Sequence, residues 1–444
     1  MRPYDDDMRK VLIVSPHFSP INAPDMQRTR MALPFLRDLG WEPVVLAVRP
    51  EMVEGGVWEP LLEQSYPGDV RVVRVGGIRP EVTRRLGFGS LWWRCGAAIR
   101  RAGETLLGSE KFDLVFFSTT QFDAFSLGPA WKERFGTPYV LDYQDPWIND
   151  YYKVTGTRPP GGHIKFGLSQ WSARRNEPKT LKNAAAVIAV SDAYGTELAR
   201  NNPGFKSERV HFLPFGASER DIQIARMHRP NEPLFDFNDG DFHHVYTGRC
   251  GPDMSIALRI LFRAFKRYLA NEPEKAARVR FHFIGTDYAP RPLGREWVMP
   301  TARLEGVERF VSEYCYRIPY FDALYYLSNA QALLVIGSND PTYSASKIFP
   351  YVLANRPLLV VFNERSPVMA MAAAMKVDQR YSFARAEDVD IVAGKVSEVW
   401  FSGGGMNATS VPDMSAFEPY AAKTITGRLA EIFDEASRVP GETK

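Results

Sequence analysis

Cysteine is scarce in this chain. Its 444 residues include three, Cys95, Cys250 and Cys315, and no two of them form a CxxC pair. A disulfide framework or a structural zinc site is therefore not expected, because both need paired cysteines. The histidines also lack the spacing of metal ligands, so we expect no metal site. A reducing cytoplasm is the simplest compartment for such a chain.

Long apolar runs and an excess of one charge are missing as well. No stretch reaches the roughly 18 to 20 residues that a membrane-spanning helix needs, and the acidic start MRPYDDDMRK does not fit a signal peptide. The 55 basic residues nearly balance the 52 acidic ones, which gives a net charge of +3. This balance offers no general electrostatic basis for nucleic-acid binding. We expect a cytoplasmic protein with more than one domain.

Short apolar runs alternate with amphipathic stretches along the chain. The run KVLIVS at 10–15 has the apolar, β-branched composition of a strand that is buried on both faces. Further predicted strands lie at 43–48, 70–75, 113–119, 139–143, 185–191, 209–216, 243–248, 278–286, 310–316, 332–338 and 356–362. Strands separated by helices in this way imply right-handed βαβ units and parallel sheets.

The alternation breaks once, in a polar segment with two prolines after Gly216. We interpret this segment as a linker. The predicted organisation is an α/β protein with two Rossmann-like doubly wound domains, 1–216 and 241–414, joined by a linker at 217–240. A C-terminal helix in 415–444 would cross back to the first domain. Such domains bind ligands beyond the carboxyl ends of their strands, so the predicted site is a cleft where the two domains face each other.

Two segments of the second half suit a phosphate group. In YTGR, Gly248 follows a predicted strand and allows close approach of the backbone, while Arg249 offers a guanidinium fork. In YSASKIFPY, Ser344 or Ser346 could cap a helix whose free amides attract an anion, and Lys347 adds a positive charge. The alternatives are an ordinary turn with a solvated arginine and an ordinary serine cap with an exposed lysine. The presence of both segments in one domain favours a diphosphate.

The first half supplies candidate acid and base groups. Asp142 and Asp145 lie at the end of a predicted strand, in DYQDPW, and both could instead serve only to cap a loop. His17 lies in the loop after the first strand and is a candidate acid, base or acceptor contact.

Residues 79–101 interleave arginines with Phe88, Trp92 and Trp93. This mixture suits peripheral contact with an anionic membrane at its inner face, or else a helix that packs its tryptophans into the core.

Together these segments resemble a glycosyltransferase of the GT-B fold, in the retaining glycosyltransferase family 4 group. The likeness is carried by the opening KVLIVSPHFSPINAPDMQRTRMALPFLRDLGWEPVVLAV and by YVLDYQDPW, AAAVIAVSDAY, RVHFLPFGA, VYTGR, FHFIGT and YSASKIFPYVLANRPLLVVF. The resemblance implies transfer of a sugar from a nucleotide diphosphate sugar, held by the second domain, to an acceptor held by the first. The acceptor could be a surface polysaccharide, a lipid-linked intermediate or a small molecule. No cofactor is implied, since the nucleotide sugar is a substrate.

The resemblance also assigns residues. The implied donor-binding residues are Gly248, Arg249, Gly285, Ser344, Ser346, Lys347 and Tyr351, and the implied catalytic residues are His17, Asp145, Arg249 and Lys347. The chain departs from the family at three places: Asn22-Ala23-Pro24-Asp25 replaces a glycine pair, Met254 replaces a lysine, and Pro350 replaces a ribose-binding glutamate.

The implied chemistry works without a metal. Fixed cations can stabilise the negative charge that develops on the departing diphosphate. In the retaining route, the acceptor attacks from the side of the leaving group and a phosphate oxygen takes its proton. A nucleotide-sugar epimerase or hydrolase, or a non-catalytic nucleotide-sugar-binding module, remain alternatives on the same fold.

Overall fold

A computed structural model describes residues 8–84, 89–148, 162–287, 289, 292–341, 347–407 and 412–438. The chain forms two compact units. The first consists of Met1–Phe215 together with Ala422–Lys444, and the second is Gly216–Ala421.

The first unit is built on a seven-stranded sheet in which every pairing is parallel, in the order β5-β3-β1-β6-β7-β8-β9. These strands are β1 Arg9–Val14, β3 Trp41–Val48, β5 Arg71–Val75, β6 Leu114–Ser118, β7 Tyr139–Tyr143, β8 Ala186–Ala189 and β9 Val210–Phe212. A separate short antiparallel pair joins β2 Ile21–Asn22 and β4 Val57–Trp58. Strands β6 and β7 are wholly buried and β1 is buried from Val11 onward, as their continuous apolar runs predict.

Helices cover this sheet. They are α1 Gln27–Leu36, α2 Pro80–Arg84, α3 Leu91–Ser109, α4 Leu127–Phe135, α5 Gly162–Asn183 and α6 Asp192–Asn201.

The C-terminal helix, numbered α15 and spanning Ala422–Ser437, packs on this unit as predicted. The Phe433 ring meets Trp41 and Phe116 edge-on, with centroids 5.5 and 5.0 Å apart. Asp434 accepts a hydrogen bond from Trp41 Nε1 at 2.9 Å.

The second unit repeats the architecture with a six-stranded parallel sheet, in the order β12-β11-β10-β13-β14-β15. Its strands are β10 Phe242–Thr247, β11 Val279–Ile284, β12 Val311–Tyr314, β13 Ala332–Ile336, β14 Leu358–Asn363 and β15 Arg380–Phe383. Its helices are α7 Glu219–Met227, α8 Ser255–Asn271, α9 Pro273–Ala276, α10 Met299–Glu305, α11 Tyr320–Asn329, α12 Ile348–Leu353, α13 Pro367–Ala374 and α14 Val389–Val396. The two-sheet doubly wound fold predicted from the sequence is confirmed.

Residues 217–240, predicted as a linker, contain helix α7 and lie in the second unit. Ser218 caps the helix by accepting from the Asp221 amide. Asp221 in turn accepts from the Tyr320 hydroxyl on α11 at 2.9 Å. The segment is therefore an ordered part of the second unit from its first helical turn onward.

Each sheet reverses its strand order at one point. The reversal falls between β1 and β6 in the first unit and between β10 and β13 in the second. In doubly wound folds this is where loops diverge and ligands bind. Within the described part of the chain, no helix combines the length and apolar character needed to cross a membrane.

Candidate functional site

Two glycine turns lie side by side at the carboxyl end of the second sheet. Gly248 follows β10 with φ of 126°, and Gly285 follows β11 with φ of 77°. Both angles favour glycine because a side chain would strain the backbone there. A Cβ on Gly285 would lie 3.8 Å from the Gly248 amide nitrogen. Together the two turns form a surface without side chains that a ligand can approach closely.

Lys347 lies beside this surface. Its Nζ is 4.2 Å from the centroid of the Tyr246 ring and donates to the Tyr246 hydroxyl. That hydroxyl donates onward to the Arg249 carbonyl oxygen at 2.6 Å. A Cβ on Gly248 would come within 3.5 Å of Nζ. The ammonium group is thus held directly against the first glycine turn.

The Lys347 ammonium is poorly solvated. Its pKa is lowered to about 8, mainly by burial and in part by the Arg249 guanidinium, while Cys250 and Asp253 oppose the shift. An anion bound at this place would restore the stability of the charged form.

Arg249 is held by a carboxylate in the same turn. Its Nη2 lies 3.0 Å from Asp253 Oδ1, and its Nη1 lies 3.4 Å from Asp253 Oδ2. The side chain remains 40% exposed, so the guanidinium is open to a ligand as well as to Asp253. The charge of Arg249 lowers the pKa of Lys347, so the two predicted phosphate-binding cations are close enough to interact.

The other residues that the resemblance implies for binding the sugar donor do not lie at the glycine turns in the described part of the chain. Tyr351 is fully buried, and its hydroxyl accepts from the Thr247 amide at 2.5 Å and donates to the Thr247 carbonyl at 2.9 Å. It therefore holds the end of β10 in place rather than facing a ligand. Ser344 and Ser346 lie outside the described residues. The helix that these serines were expected to cap spans Ile348–Leu353 in the structure, with Lys347 immediately before it.

Met254 and Pro350, which replace a lysine and a glutamate of the family that the chain resembles, both lie in this region. Met254 is fully buried, and its sulfur lies 3.7 Å from the Tyr246 hydroxyl. Pro350 lies within α12, where its carbonyl accepts from the Ala354 amide.

In the first unit, His17 forms a pair with a carboxylate that the sequence analysis did not single out. The His17 Nδ1 lies 2.9 and 3.0 Å from the two carboxylate oxygens of Asp25. His17 is partly exposed, with 16% of its side chain accessible, whereas Asp25 is 3% exposed. His17 follows β1 and Asp25 stands just before α1, so both lie at the strand-order reversal of the first sheet.

Donors from the loop that follows β6 surround Asp25. Its Oδ2 accepts from the Thr119 hydroxyl at 2.9 Å and from the Thr120 amide at 3.1 Å. Burial alone would raise the pKa of Asp25, but the hydrogen bonds and the charge of His17 outweigh it and hold this pKa below its usual value. Asp25 is therefore an ionised carboxylate directed at His17.

The two carboxylates of DYQDPW differ from each other. Asp142 is fully buried and accepts from Arg28 Nε at 2.9 Å, from the Ser118 hydroxyl at 2.8 Å and from Gln144 at 2.9 Å. It is a structural anchor. Asp145 is exposed, yet surrounding protein removes part of its hydration and, together with the Asp25 charge, raises its pKa. The charge of Asp25, the partner of His17, therefore acts on Asp145 as well.

A groove of about 280 Å³ opens beside this pair. It is lined by His17, Val53, Glu54, Gly89, Ser90, Leu91, Arg94 and Gln121. The lining is mainly polar, as expected for a site that binds hydroxyl groups.

Segment 79–101 has one tryptophan against the core and one at the surface, so core packing and membrane contact are both compatible with it. Trp92 packs against the core of the first unit, whereas Trp93 is 62% exposed. Arg94 is buried and donates to the Met52 carbonyl at 2.8 Å. Phe88 lies outside the described residues. Membrane contact through this segment stays a prediction.

Within the described ranges, no group of three or more histidine, cysteine or acidic side chains is arranged to hold a metal ion.

Comparison with known proteins supports the resemblance. Residues 27–216 match the family described as glycosyl transferase 4-like domain. No curated protein matches the chain in sequence.

Several solved structures share the fold. HepE of Anabaena, solved in complex with UDP and glucose, has a TM-score of 0.58 at 15% identity, with 96% of this chain and 99% of that chain covered. Sucrose-phosphate synthase of Thermosynechococcus elongatus has a TM-score of 0.59 at 12% identity, covering 96% and 98%. A UDP-forming α,α-trehalose-phosphate synthase of Burkholderia xenovorans has a TM-score of 0.57 at 13% identity, covering 97% and 100%. Residues 27–216 thus match a glycosyl transferase 4-like domain, and the chain has the two-domain GT-B fold of these structures.

Proposed function

We propose that this enzyme transfers a sugar from a nucleoside diphosphate sugar to an acceptor hydroxyl, with the diphosphate bound by the second unit. The observation that carries the proposal is the placement of Lys347 and Arg249 around the Gly248 turn. Two cations beside a side-chain-free turn provide charge and close backbone approach for a diphosphate. HepE of Anabaena, which shares the fold, was solved with UDP and with UDP-glucose. UDP is therefore the first nucleotide to test.

The cations serve the chemical step as well as binding. When the bond between the sugar and the diphosphate breaks, negative charge grows on the departing phosphate. Lys347 is already desolvated and fixed against Tyr246, so it stabilises that charge without reorganising solvent. Under this proposal Tyr351 acts indirectly, since it fixes the end of β10 from which Gly248 and Arg249 emerge.

The first unit would bind the acceptor. The polar groove beside His17 offers the space, and Asp145 adds a carboxylate whose pKa is raised in part by the charge of Asp25. Retention of the anomeric configuration, action without a metal and the nature of the acceptor are further parts of the proposal, and they rest on the family resemblance.

Binding of UDP should take up protons near pH 8. At that pH about half of the free enzyme has a neutral Lys347, because the pH equals the pKa of about 8. A bound diphosphate favours the ammonium form, so roughly half a proton should enter per UDP bound, and affinity should weaken as the pH rises further. Calorimetric titrations in two buffers of different ionisation enthalpy measure this uptake.

The matched control is Lys347→Arg, which stays charged over this range. It should bind UDP without the uptake. An equal uptake in this variant would show that another group takes the proton.

The same titrations, combined with a turnover assay, separate the alternatives. Binding without consumption of any nucleotide sugar favours a binding module. Consumption that is independent of an acceptor favours a hydrolase or an epimerase.

A further inference from the structure

We infer that helix α5 docks the first unit on an anionic membrane surface through a single row of side chains, here called the α5 row. Six residues make up this row, and all six are exposed: Ile164, Leu168, Trp171, Arg175, Lys179 and Lys182. They recur at every third or fourth position, which places them on one face of an α-helix. The first half of the row is apolar and the second half is basic.

The apolar half consists of three large side chains that are held in water. Ile164 is 84% exposed, Leu168 is 65% exposed and Trp171 is 63% exposed. Single exposed apolar residues are common on protein surfaces, but three in a row along two helical turns form a contiguous apolar strip. A tryptophan between apolar and basic residues is typical of helices that lie at a membrane interface.

The α5 row cannot turn inward, because the opposite face of the helix is fixed to the first unit. Ala173 lies in the hydrophobic core. Glu177 accepts a hydrogen bond from Asn202 Nδ2 at 2.7 Å. The Thr180 carbonyl accepts one from the Tyr139 hydroxyl, also at 2.7 Å. Covering the apolar strip therefore requires a partner other than this core.

The charge of α5 selects an anionic partner. The helix carries five basic residues, all of them exposed: Lys165, Arg174, Arg175, Lys179 and Lys182. Its one acidic residue, Glu177, is 1% exposed and lies on the opposite face. The α5 row thus contains basic groups and no carboxylate, which suits a surface of lipid phosphates.

An anionic membrane matches both halves of the row, whereas nucleic acid matches only the basic half. Phosphates of either partner can pair with Lys179 and Lys182, but nucleic acid offers no apolar surface to Ile164 and Leu168. At a membrane, apolar side chains enter the interfacial region while basic ones stay at the headgroups. The Arg175 guanidinium lies 5.9 Å from the centroid of the Trp171 ring and so joins the two halves.

The first turn of α5 lies beside the groove of the first unit. A Cβ on Gly89, which lines the groove, would lie 3.9 Å from Lys165 Nζ and 3.9 Å from Glu54 Oε2. A membrane at the α5 row would therefore bring lipid-linked molecules close to the groove. This favours a lipid-linked acceptor, a consequence that rests on the proposed function, whereas the docking itself does not.

Sedimentation with lipid vesicles tests the docking on the intact chain. Wild type should bind vesicles of equal parts phosphatidylglycerol and phosphatidylcholine, bind phosphatidylcholine alone at least about tenfold more weakly, and be released by salt. Trp171→Ser should weaken binding to the anionic vesicles by about tenfold. The control is Trp58→Ser, which removes a tryptophan of matching exposure, 61%, from β4 and should bind as wild type.

Charge reversal tests the basic half of the row. Lys179→Glu combined with Lys182→Glu should weaken binding to the anionic vesicles by about tenfold or more. The matched control, Lys206→Glu with Lys423→Glu, makes the same change of net charge at exposed positions of the same unit and should lose much less. Equal losses in the two double variants would show that net charge alone decides binding, and would overturn the inference.

Brominated lipid locates the contact, because bromine quenches tryptophans that reach the bilayer. Brominated phosphatidylglycerol should quench part of the wild-type fluorescence, and quenching should fall in Trp171→Phe although this variant still binds. Thermal melting and UDP binding of all variants should match wild type, since the substituted side chains are exposed.

Three outcomes would overturn the docking and leave the proposed function standing. They are no binding of wild type to anionic vesicles, unchanged quenching in Trp171→Phe, and dimers in solution that Trp171→Ser dissociates without any vesicle binding. The last would assign the α5 row to a second copy of the chain. A wild-type protein that binds vesicles but no nucleotide would overturn the proposed function alone.

Discussion

Replacement of Lys347 by methionine is expected to lower sugar transfer by about 10²–10³-fold. The methionine keeps the apolar stem over the Tyr246 ring and removes the charge that lies against the Gly248 turn. Because the charge on the diphosphate grows as the glycosidic bond breaks, the loss should appear mainly in kcat. Steady-state release of UDP from UDP-glucose that depends on an added acceptor is the measurement.

The control for this variant is Lys395→Met, which removes an exposed lysine from α14 of the same unit. Its kcat should match that of wild type. Turnover of Lys347→Met within a few-fold of wild type would contradict the role assigned to this lysine. Circular dichroism spectra of both variants establish that the fold is retained.

Acid should destabilise the second unit through two buried histidines. Burial lowers the pKa of His244 to about 3, and burial together with the charge of His243 lowers the pKa of His282 to about 3, against 6.5 in the unfolded chain. Because these pKa values are depressed in the native protein, the stabilisation is complete above pH 6.5 and is lost as the pH falls towards 3. Each histidine should cost about 2 kcal/mol of unfolding free energy between pH 7 and pH 5. Typical domains have about 5–15 kcal/mol in total.

Urea unfolding at pH 7 and pH 5, followed by tryptophan fluorescence, measures this loss. Trp400 lies beside His244, with ring centroids 5.9 Å apart, and reports on this core. His244→Phe should remove about half of the pH dependence, since it removes one of the two buried histidines whose pKa is lowered. His163→Gln changes an exposed histidine and should leave the pH dependence intact. An unchanged slope in His244→Phe would show that another group carries the effect.

The fold was largely predictable because the strands are apolar throughout. Runs such as ALLVIGS correspond to strands that are buried on both faces, where composition alone is informative. Strand β15, Arg380–Phe383, was not predicted, since it lies at the edge of its sheet and three of its four residues are at least partly exposed. The helix within 217–240 was missed although Ser218 and Asp221 form a recognisable start signal. The two prolines that follow the helix favoured the interpretation of this segment as a linker.

The site was predictable only in part. Lys347 and Arg249 could be proposed as phosphate ligands because each follows a predicted strand in a sequence with glycine or serine. Asp25 was not found, because its partners His17 and Thr119 are distant in the sequence and meet only when β1 and β6 pair. The family resemblance gave no help at this position, since the chain departs from the family there.

Burial also separates residues that look alike in sequence. Asp142 and Asp145 stand three positions apart, yet the first is locked to Arg28 inside the unit and the second is open to solvent. Likewise the sequence could not show whether Tyr351 faces a ligand or, as in the structure, is buried with its hydroxyl bonded to the backbone of Thr247. Only packing in three dimensions decides these roles.

Calorimetric titration of UDP into wild type, Lys347→Met and Lys395→Met tests most directly whether the second unit binds a nucleoside diphosphate at its glycine turns. Wild type and Lys395→Met should bind UDP with equal affinity, and Lys347→Met should bind at least about tenfold more weakly, a difference of about 1.4 kcal/mol. Equal affinities in all three proteins, or no binding to wild type, would contradict the assignment of Lys347 and Arg249 as the diphosphate-binding pair.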